Sequence, residues 1–420
     1  MSAKEIVNEL TNLGDLYDTS FMRESSYDNL RELLSKFYNN SYDITDLMES
    51  LTPRCSDILL ECSFLNKKRK CTDIFSLGKT HNGFCCTFNY VIEPDDMPKF
   101  TEVPEPVIYL VGTASFYYGL SVMMVPQLDD YAYTLLPTTG WKVMIFDPYG
   151  YPDLSSGSVS EVLVPPLTEE FVQLQVVGSH GTDTIRMHSV EKRGCIFPDE
   201  YESNYTSYST NACIVACRVE HIWAKCKCRP FFYPRQGFTE KSRRTCTIED
   251  IHCLTKYYEK QYNIVPYARI NLDSDFENEN VIRCNNCYPE CIDMSYLIQI
   301  SETDIKSSYF NVTLYPNTNV KDQSILHIYF SDPETGFLRK DVHYRWYEYL
   351  SFIGGTYGLF VGFSIVSVVE IIYFITSYLL ETFLPPAAKK PSRKNTTRSI
   401  YWNEFLSHSR VNVERPAIRY

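Results

Sequence analysis

The chain has 420 residues, of which 44% are hydrophobic and 22% are charged. This composition is typical of a folded protein of one large or two ordinary domains, and it excludes a wholly disordered chain. The formal net charge of -12 excludes the broad basic surface that nucleic-acid binding requires, and it favours cations as partners.

The first fifty residues show helical spacing. In the segment YDNLRELLSKFY, apolar side chains recur at intervals of three and four residues. This spacing predicts an amphipathic helix that turns Leu30, Leu33, Leu34 and Phe37 towards a core.

Shorter, strand-like pieces follow between residues 84 and 190. The segments VIYLVG (107–112) and WKVMIF (141–146) are rich in strand-forming residues, and the second ends at the turn signal DPYGYPD. We therefore expect this part of the chain to be mainly sheet. Strand character returns in SILHIYF (324–330).

All 15 cysteines lie between Cys55 and Cys291. Three glycosylation sequons also lie in the long segment that precedes residue 350, and together these signals indicate an oxidising, glycosylating compartment. The close pairs CKC (226–228) and CNNC (284–287) could instead be zinc ligands or a redox pair, and spacing alone leaves these alternatives open. The sequons are those of Asn39, Asn204 and Asn311.

Ten of the cysteines are concentrated in residues 195–291. Within this stretch, STNACIVACRVEHIWAKC predicts a helix that begins at a Ser/Thr cap. The four-residue separation of Cys213 and Cys217 places both on one face of that helix.

A long apolar segment, FIGGTYGLFVGFSIVSVVEIIYFITSYLL, occupies residues 352–380 and carries one charge, Glu370. It exceeds the roughly 20 residues that a straight membrane span needs, which favours an interrupted helix. Because a cluster of basic residues follows, the positive-inside rule places residues 385–420 in the cytosol and residues before about 350 outside. The basic residues are Lys389, Lys390, Arg393, Lys394 and Arg398.

The glycines and the carboxylate of this segment have different explanations. Glycines recur every four residues from Gly354 to Gly362, a spacing that lets membrane helices approach closely. Close packing does not explain Glu370, whose burial as an ion costs at least ~2.5 kcal/mol. Ser367, Glu370 and Ser377 fall within one arc of the helix. Three such helices around an axis would present a ring of carboxylates that attracts cations.

Several motifs resemble the degenerin and epithelial sodium channel family, and its arthropod pickpocket branch most closely. In chain order they are GFCCTFNY, GWKVMIFDPYGYPD, EKRGC, CIVACRVEHIWAKCKCRPFFYPR, CNNCYPEC and GGTYGLFVGFSIVSVVEIIYF. The resemblance implies a subunit of an amiloride-sensitive sodium channel in the plasma membrane, assembled as a homo- or hetero-trimer. It implies no cofactor and no metal, and it leaves open whether protons, peptides, small ligands or force gate the channel.

The implied fold is α+β. It is a disulfide-rich, hand-like ectodomain with a β-sheet palm and a helical finger and thumb, followed by one transmembrane helix. The implied divisions are a finger-like helical region at 1–83, palm, β-ball and finger strands at 84–194, a thumb at 195–291, palm return strands and wrist at 292–349, a transmembrane helix at 350–384 and a cytosolic tail at 385–420.

The family's thumb carries a nested ladder of disulfides. By resemblance it joins Cys195 to Cys291, Cys213 to Cys287, Cys217 to Cys284, Cys226 to Cys253 and Cys228 to Cys246. Upstream, the expected pairs are Cys62 with Cys71 and Cys55 with Cys86, which leaves Cys85 alone. Family members begin with a His-Gly pair and a first membrane helix that this sequence lacks, so we expect an N-terminally incomplete chain that is missing the partner of Cys85.

The resemblance also implies roles within the apolar segment. Gly362, Phe363 and Ser364 match the selectivity filter, while Ser367 and Glu370 line the pore. Ser351 matches the degenerin position, where a small residue permits closure, although an ordinary serine at the membrane edge explains it equally well.

A second class of function remains compatible with the sequence. The chain could be a non-conducting, single-span surface protein whose disulfide-rich ectodomain binds a partner outside the cell. An enzyme is not expected, because no clustered Ser/His/Asp, Cys/His or metal-ligand constellation occurs in the segment predicted to lie outside.

Overall fold

A computed structural model describes most of the chain. The described residues are 3–19, 27–38, 42–91, 108–131, 133–157, 159–200, 208–234, 243–267, 281–305, 323–362 and 364–383. The chain divides into two units, Met1–Val342 and His343–Tyr420.

Both units contain helices, and the strands belong to the first unit. The helices are α1 (Ala3–Thr11), α2 (Asp28–Tyr38), α3 (Ile44–Leu51), α4 (Cys55–Ile58), α5 (Cys71–Ile74), α6 (Asp183–Arg186), α7 (Val190–Arg193), α8 (Thr210–Cys226), α9 (Ile251–Lys256), α10 (Tyr258–Tyr262), α11 (Trp346–Val361) and α12 (Ile365–Phe383). The strands are β1 (Leu59–Phe64), β2 (Lys67–Arg69), β3 (Phe75–Thr80), β4 (Gly83–Phe88), β5 (Leu120–Met124), β6 (Trp141–Ile145), β7 (Ser160–Val164), β8 (Thr168–Gly181), β9 (Ile264–Pro266), β10 (Ile282–Cys284), β11 (Ile292–Asp304), β12 (Ser324–Phe330) and β13 (Gly336–Lys340).

A seven-stranded sheet organises the first unit. Its strand order is β11-β8-β12-β5-β1-β2, and β13 also pairs with β8. The long β8 runs antiparallel to β11 and parallel to β12 and β13. Because side chains alternate along a strand, β8 buries Val172 and Leu174 on the face that packs against Val122 and Leu326. Two-stranded sheets pair β3 with β4, β6 with β7 and β9 with β10.

A second core forms between the N-terminal helices and α8. Leu30, Leu33 and Leu34 of α2 are buried in it, which confirms the predicted amphipathic helix. The prediction was wrong for Phe37, whose side chain is 70% exposed. Phe37 lies in the last turn of α2, beyond the end of the buried cluster.

Two other predictions about elements need correction. Residues 108–112 are not a strand, because the side-chain amide of Asn89 bonds both backbone groups of Tyr109, each at 2.9 Å. The region 1–83 is not helical throughout. Its β1 pairs with β5 inside the large sheet, where Cys62, Ser63 and Phe64 are all buried. By contrast, β6, β12 and α8 lie where the sequence predicts them.

The start of α8 differs from the predicted cap. Ser209 occupies the capping position, but its side chain makes no capping hydrogen bond. Instead, the carboxylate of Glu290 accepts a hydrogen bond of 2.9 Å from the Thr210 backbone N–H. A carboxylate suits this place because the first N–H groups of a helix lack partners within the helix.

Seven disulfides join the same pairs that the resemblance implies. They are Cys55–Cys86, Cys62–Cys71, Cys195–Cys291, Cys213–Cys287, Cys217–Cys284, Cys226–Cys253 and Cys228–Cys246. All cysteines of CKC and CNNC are therefore bonded, which removes the zinc and redox alternatives. Cys85 is free. Closing a loop of about 100 residues, as Cys195–Cys291 does, is worth ~4.7 kcal/mol by the chain-entropy estimate.

Candidate functional site

The two helices described in the second unit, α11 and α12, expose many apolar side chains. Leu359, Phe360 and Ile365 are among many large apolar residues of α11 and α12 that are exposed. In the part of the chain that the structure describes, α12 is the helix that is long and apolar enough to cross a membrane, with 19 residues and a mean hydropathy of 1.6. At 1.5 Å per residue it spans roughly 28 Å, close to the thickness of a bilayer core.

The apolar segment is interrupted between α11 and α12. Gly362 ends α11 in a left-handed conformation, with φ of +67°, and its N–H donates to the carbonyl of Tyr357. Left-handed backbone costs residues with a Cβ roughly 1–2 kcal/mol, whereas glycine adopts it freely. The interruption lies at the Gly-Phe-Ser motif, of which Phe363 lies outside the described residues.

Several oxygen atoms lie close together just after the interruption. The Ser364 hydroxyl lies 3.3 Å from the Ser367 hydroxyl, and the Ser364 carbonyl accepts a hydrogen bond from the Val368 N–H, also at 3.3 Å. Glu370 follows one turn later on α12, on the arc that contains Ser367. Backbone carbonyls, hydroxyls and carboxylates are the groups with which channels replace the hydration shell of a cation.

Glu381 extends this arc, and the sequence prediction did not single it out. It lies 11 residues after Glu370, so at 100° and 1.5 Å per residue it is rotated by only about 20° and displaced by about 16 Å along the axis. Applying the same helical step beyond the apolar segment would have found it.

Ser351 lies at a distance from this group. It is exposed on α11, 11 residues before Gly362, which corresponds to about 16 Å along a helix. The structure therefore groups Gly362, Ser364, Ser367 and Glu370 around the interruption and leaves Ser351 in the second turn of α11. The three predicted glycosylation sites and residues 385–420 lie outside the described residues.

A buried ion pair in the first unit was also missed by the sequence prediction. Arg218 of α8 lies 3.0 Å from Asp153, and their side chains are 1% and 0% exposed. Arg218 also donates to the Tyr233 hydroxyl at 2.9 Å, and the Asp153 carboxylate accepts a hydrogen bond from Ser155. The pair ties α8, which carries three ladder cysteines, to the turn DPYGYPD, in which Asp153 is the last residue.

A second buried carboxylate is Glu170 of β8. Its side chain is 1% exposed, and its Oε2 has no hydrogen-bond partner among the described residues. Its cross-strand neighbours are Glu302 on β11 and Leu326 on β12. Burial, together with the nearby Glu302 carboxylate, raises the pKa of Glu170 from its ordinary value of 4.5 to about 7.

This pKa predicts a pH-dependent stability. Between pH 4.5 and about 7 the folded chain binds more protons at Glu170 than the unfolded chain, so its stability decreases as pH rises through this window. The glutamine side chain of Glu170→Gln cannot ionise, so this variant does not undergo the decrease in stability that Glu170 causes as pH rises. We expect the variant to melt at a higher temperature than the unsubstituted chain at pH 8, and at the same temperature at pH 4.5.

Thermal denaturation of the purified chain at several pH values measures this effect. Glu302→Gln removes the neighbouring like charge and is expected to reduce the decrease without abolishing it. Glu334→Gln, on an exposed turn, is the control and leaves the pH dependence unchanged. Equal melting profiles for Glu170→Gln and the unsubstituted chain would contradict the assignment.

Comparison with known proteins assigns the chain to a family. The family model described as "Amiloride-sensitive sodium channel" matches residues 2–374. The chain belongs to the amiloride-sensitive sodium channel family. This confirms the resemblance read from the sequence, and the family is one of ion channels rather than enzymes.

Individual relatives are similar at moderate identity. Pickpocket protein 28 of Drosophila melanogaster is 26% identical over 399 residues, which cover 86% of this chain and 62% of the relative. Sodium channel protein Nach of Drosophila ananassae is 27% identical over 347 residues, covering 82% of this chain and 61% of the relative. The bile acid-sensitive ion channel of Rattus norvegicus is 25% identical over 337 residues, covering 77% and 59%. The chain thus spans about three fifths of the length of these relatives.

Proposed function

We propose that the chain is a pore-forming subunit of a sodium channel in the plasma membrane. The observation that carries this proposal is the interruption at Gly362, which is followed within two turns by the oxygens of Ser364, Ser367 and Glu370. A helix that only anchors a protein needs neither an interruption nor a carboxylate in its apolar stretch. Membership of a family of sodium channels supports the same function.

In this proposal three subunits surround the pathway. Gly362, Phe363 and Ser364 form the selectivity filter, Ser367 and Glu370 line the pore below it, and Ser351 contributes to gating. The first unit lies outside the cell, where its disulfides form, and the tail is cytosolic. A stimulus opens the pore, sodium passes, and amiloride-like compounds block it.

Current recordings test conduction directly. The protein is expressed in oocytes from its full coding sequence and recorded under voltage clamp, with sodium replaced by a large organic cation and with amiloride added. We expect an inward current that disappears on sodium replacement and decreases with amiloride. If the protein reaches the cell surface but carries no current under acid, peptide, ligand or mechanical stimulation, the non-conducting surface protein is favoured instead.

The left-handed backbone at Gly362 gives a sharper test of the filter. Asparagine tolerates this conformation better than other residues with a Cβ, whereas valine is strongly disfavoured in it. Apart from its two chain neighbours, no described residue lies within 4 Å of the position that a Cβ would occupy, so within the subunit we expect a substitution to act through the backbone. We expect Gly362→Asn to keep most of the preference for sodium over potassium, and Gly362→Val to lose it.

Reversal potentials in sodium and potassium solutions measure this preference. Gly355→Ala is the matched control, because Gly355 lies within α11, off the four-residue glycine repeat, with open space around its Cβ position. It should leave the reversal potential unchanged. Equal behaviour of the asparagine and valine variants would show that backbone conformation at Gly362 does not govern selectivity.

A further inference from the structure

An exposed basic hairpin stands at one edge of the large sheet. We define it as residues 62–71, which comprise the second half of β1, the turn after it, all of β2 and the two residues that follow β2. The turn has two residues, Leu65 and Asn66, both left-handed with φ of 54° and 57°. The disulfide Cys62–Cys71 closes the base of the hairpin. A short turn of this type and a disulfide together hold the hairpin in one conformation.

The second half of the hairpin carries four consecutive positive charges. Residues 67–70 read KKRK, and all four are exposed. Lys68 lies 2.9 Å from Glu61 while remaining 70% exposed, and the other three form no ion pair with any described residue. Although the whole chain has a net charge of -12, charges at physiological salt act over only about 8 Å. A ligand at the hairpin therefore encounters a positive field.

The position of β2 displays these charges on both sides. In the described sheet β2 is the terminal strand and pairs with β1 alone. Successive side chains point to opposite faces, so Lys67 and Arg69 lie on one face and Lys68 on the other. Charged residues on an edge strand also prevent unwanted strand pairing, which Lys67, Lys68 and Arg69 of β2 can do. Lys70 lies just beyond the end of β2, so edge protection does not account for it.

We propose that the basic hairpin binds a linear sulfated polysaccharide outside the cell. Dense runs of lysine and arginine are typical of heparin-binding patches, and sulfate oxygens accept charge-assisted hydrogen bonds from both side chains. A linear polyanion can lie across the edge strand and meet charges on both faces. The inference rests on the proposed topology, in which the first unit faces the extracellular matrix, but it does not require that the chain conducts.

Binding to immobilised heparin tests the proposal with the full chain purified in detergent. We expect the unsubstituted chain to be retained at about 0.15 M NaCl, the physiological ionic strength, and the hairpin variant to flow through. The control variant loses four positive charges as well, but from the region of α8, α9 and α10. Acidic residues such as Glu220 and Glu259 lie among the lysines there, so we expect the control to elute with the unsubstituted chain. The hairpin variant carries Lys67→Gln, Lys68→Gln, Arg69→Gln and Lys70→Gln. The control carries Lys225→Gln, Lys227→Gln, Lys256→Gln and Lys260→Gln.

Equal loss of retention in both variants would overturn the proposal, because total charge and not the hairpin would then govern binding. Binding to phosphatidylserine vesicles without binding to heparin would overturn it as well. Should the hairpin variant fail to fold, lysine acetylation of the unsubstituted chain gives an independent result. Heparin is expected to protect the lysines of residues 67–70 and not those of the control set. Unprotected hairpin lysines contradict the proposal whether or not sodium currents are found.

Discussion

Asp153→Ala is expected to destabilise the first unit by about 3–5 kcal/mol, because it leaves the Arg218 guanidinium buried and charged without its carboxylate. In the native chain the two groups lie 3.0 Å apart and are almost inaccessible to water. The remaining hydrogen bonds from Arg218 to the hydroxyls of Tyr233 and Ser155 involve neutral groups, so they cannot neutralise the charge. The loss is large relative to the 5–15 kcal/mol by which typical domains are stable, so less folded protein should reach the cell surface.

Thermal denaturation of the purified chain, together with surface biotinylation, measures this loss. The double variant Asp153→Leu with Arg218→Met replaces the pair by apolar residues of similar size, and it should recover much of the stability that the single variant loses. Glu32→Ala is the matched control, because it breaks the exposed pair between Glu32 and Lys36, whose side chains are 64% and 70% exposed. A single variant that melts with the unsubstituted chain would show that Arg218 is not dependent on Asp153.

The sequence predicts elements best where one local pattern decides the structure. The helical spacing of Leu30, Leu33 and Leu34 holds because all three side chains enter one core. The strand of residues 107–112 was predicted from composition and is absent at 108–112, because a side chain, Asn89, satisfies the Tyr109 backbone groups that a neighbouring strand would otherwise bond. Such a contact joins residues 20 apart and leaves no periodic signal.

The functional residues also divide into those that a local sequence pattern predicts and those that depend on contacts between distant parts of the chain. The arc of Ser367 and Glu370 follows from the helical step, and the length of the apolar segment favours an interruption, both of which are local properties. The position of the interruption at Gly362 came from the resemblance to a family. The pair of Arg218 and Asp153 could not be predicted, since it joins a helix to a turn 65 positions earlier in the sequence. Glu170 could not be singled out either, because only the strand register places it opposite Glu302.

The pairing of the cysteines could not be predicted from local sequence pattern alone. Spacing alone allowed CKC and CNNC to be zinc ligands, and the number of possible pairings among ten cysteines is too large to resolve by sequence reasoning. The resemblance to a family supplied one ladder, and the structure contains the same bonds. Cys85 is left free by the two upstream bonds, Cys55–Cys86 and Cys62–Cys71.

Glu370→Lys is expected to abolish sodium current, because three subunits would replace a ring of carboxylates by a ring of ammonium groups in the proposed pathway. Glu370→Gln removes the charge while preserving the shape of the side chain. Two unit charges 4 Å apart in water interact by about 1 kcal/mol, so the glutamine variant should reduce conductance several-fold. Glu370→Asp keeps the charge and should retain most of the conductance. Single-channel recordings measure these differences.

Glu381→Gln tests whether the effect of Glu370 depends on its place in the pore or would follow from the loss of any carboxylate on α12. Glu381 lies on the same arc of α12 but about 16 Å further along, near the end of the helix, where water and salt screen its charge. Its substitution should therefore change conductance less than Glu370→Gln does. Ile371→Gln, next to Glu370 but rotated by about 100°, controls for the introduction of a polar side chain into the apolar segment. If Glu370→Gln conducts sodium like the unsubstituted chain while surface expression is equal, Glu370 does not line the pathway, and the polar arc must face a neighbouring helix instead.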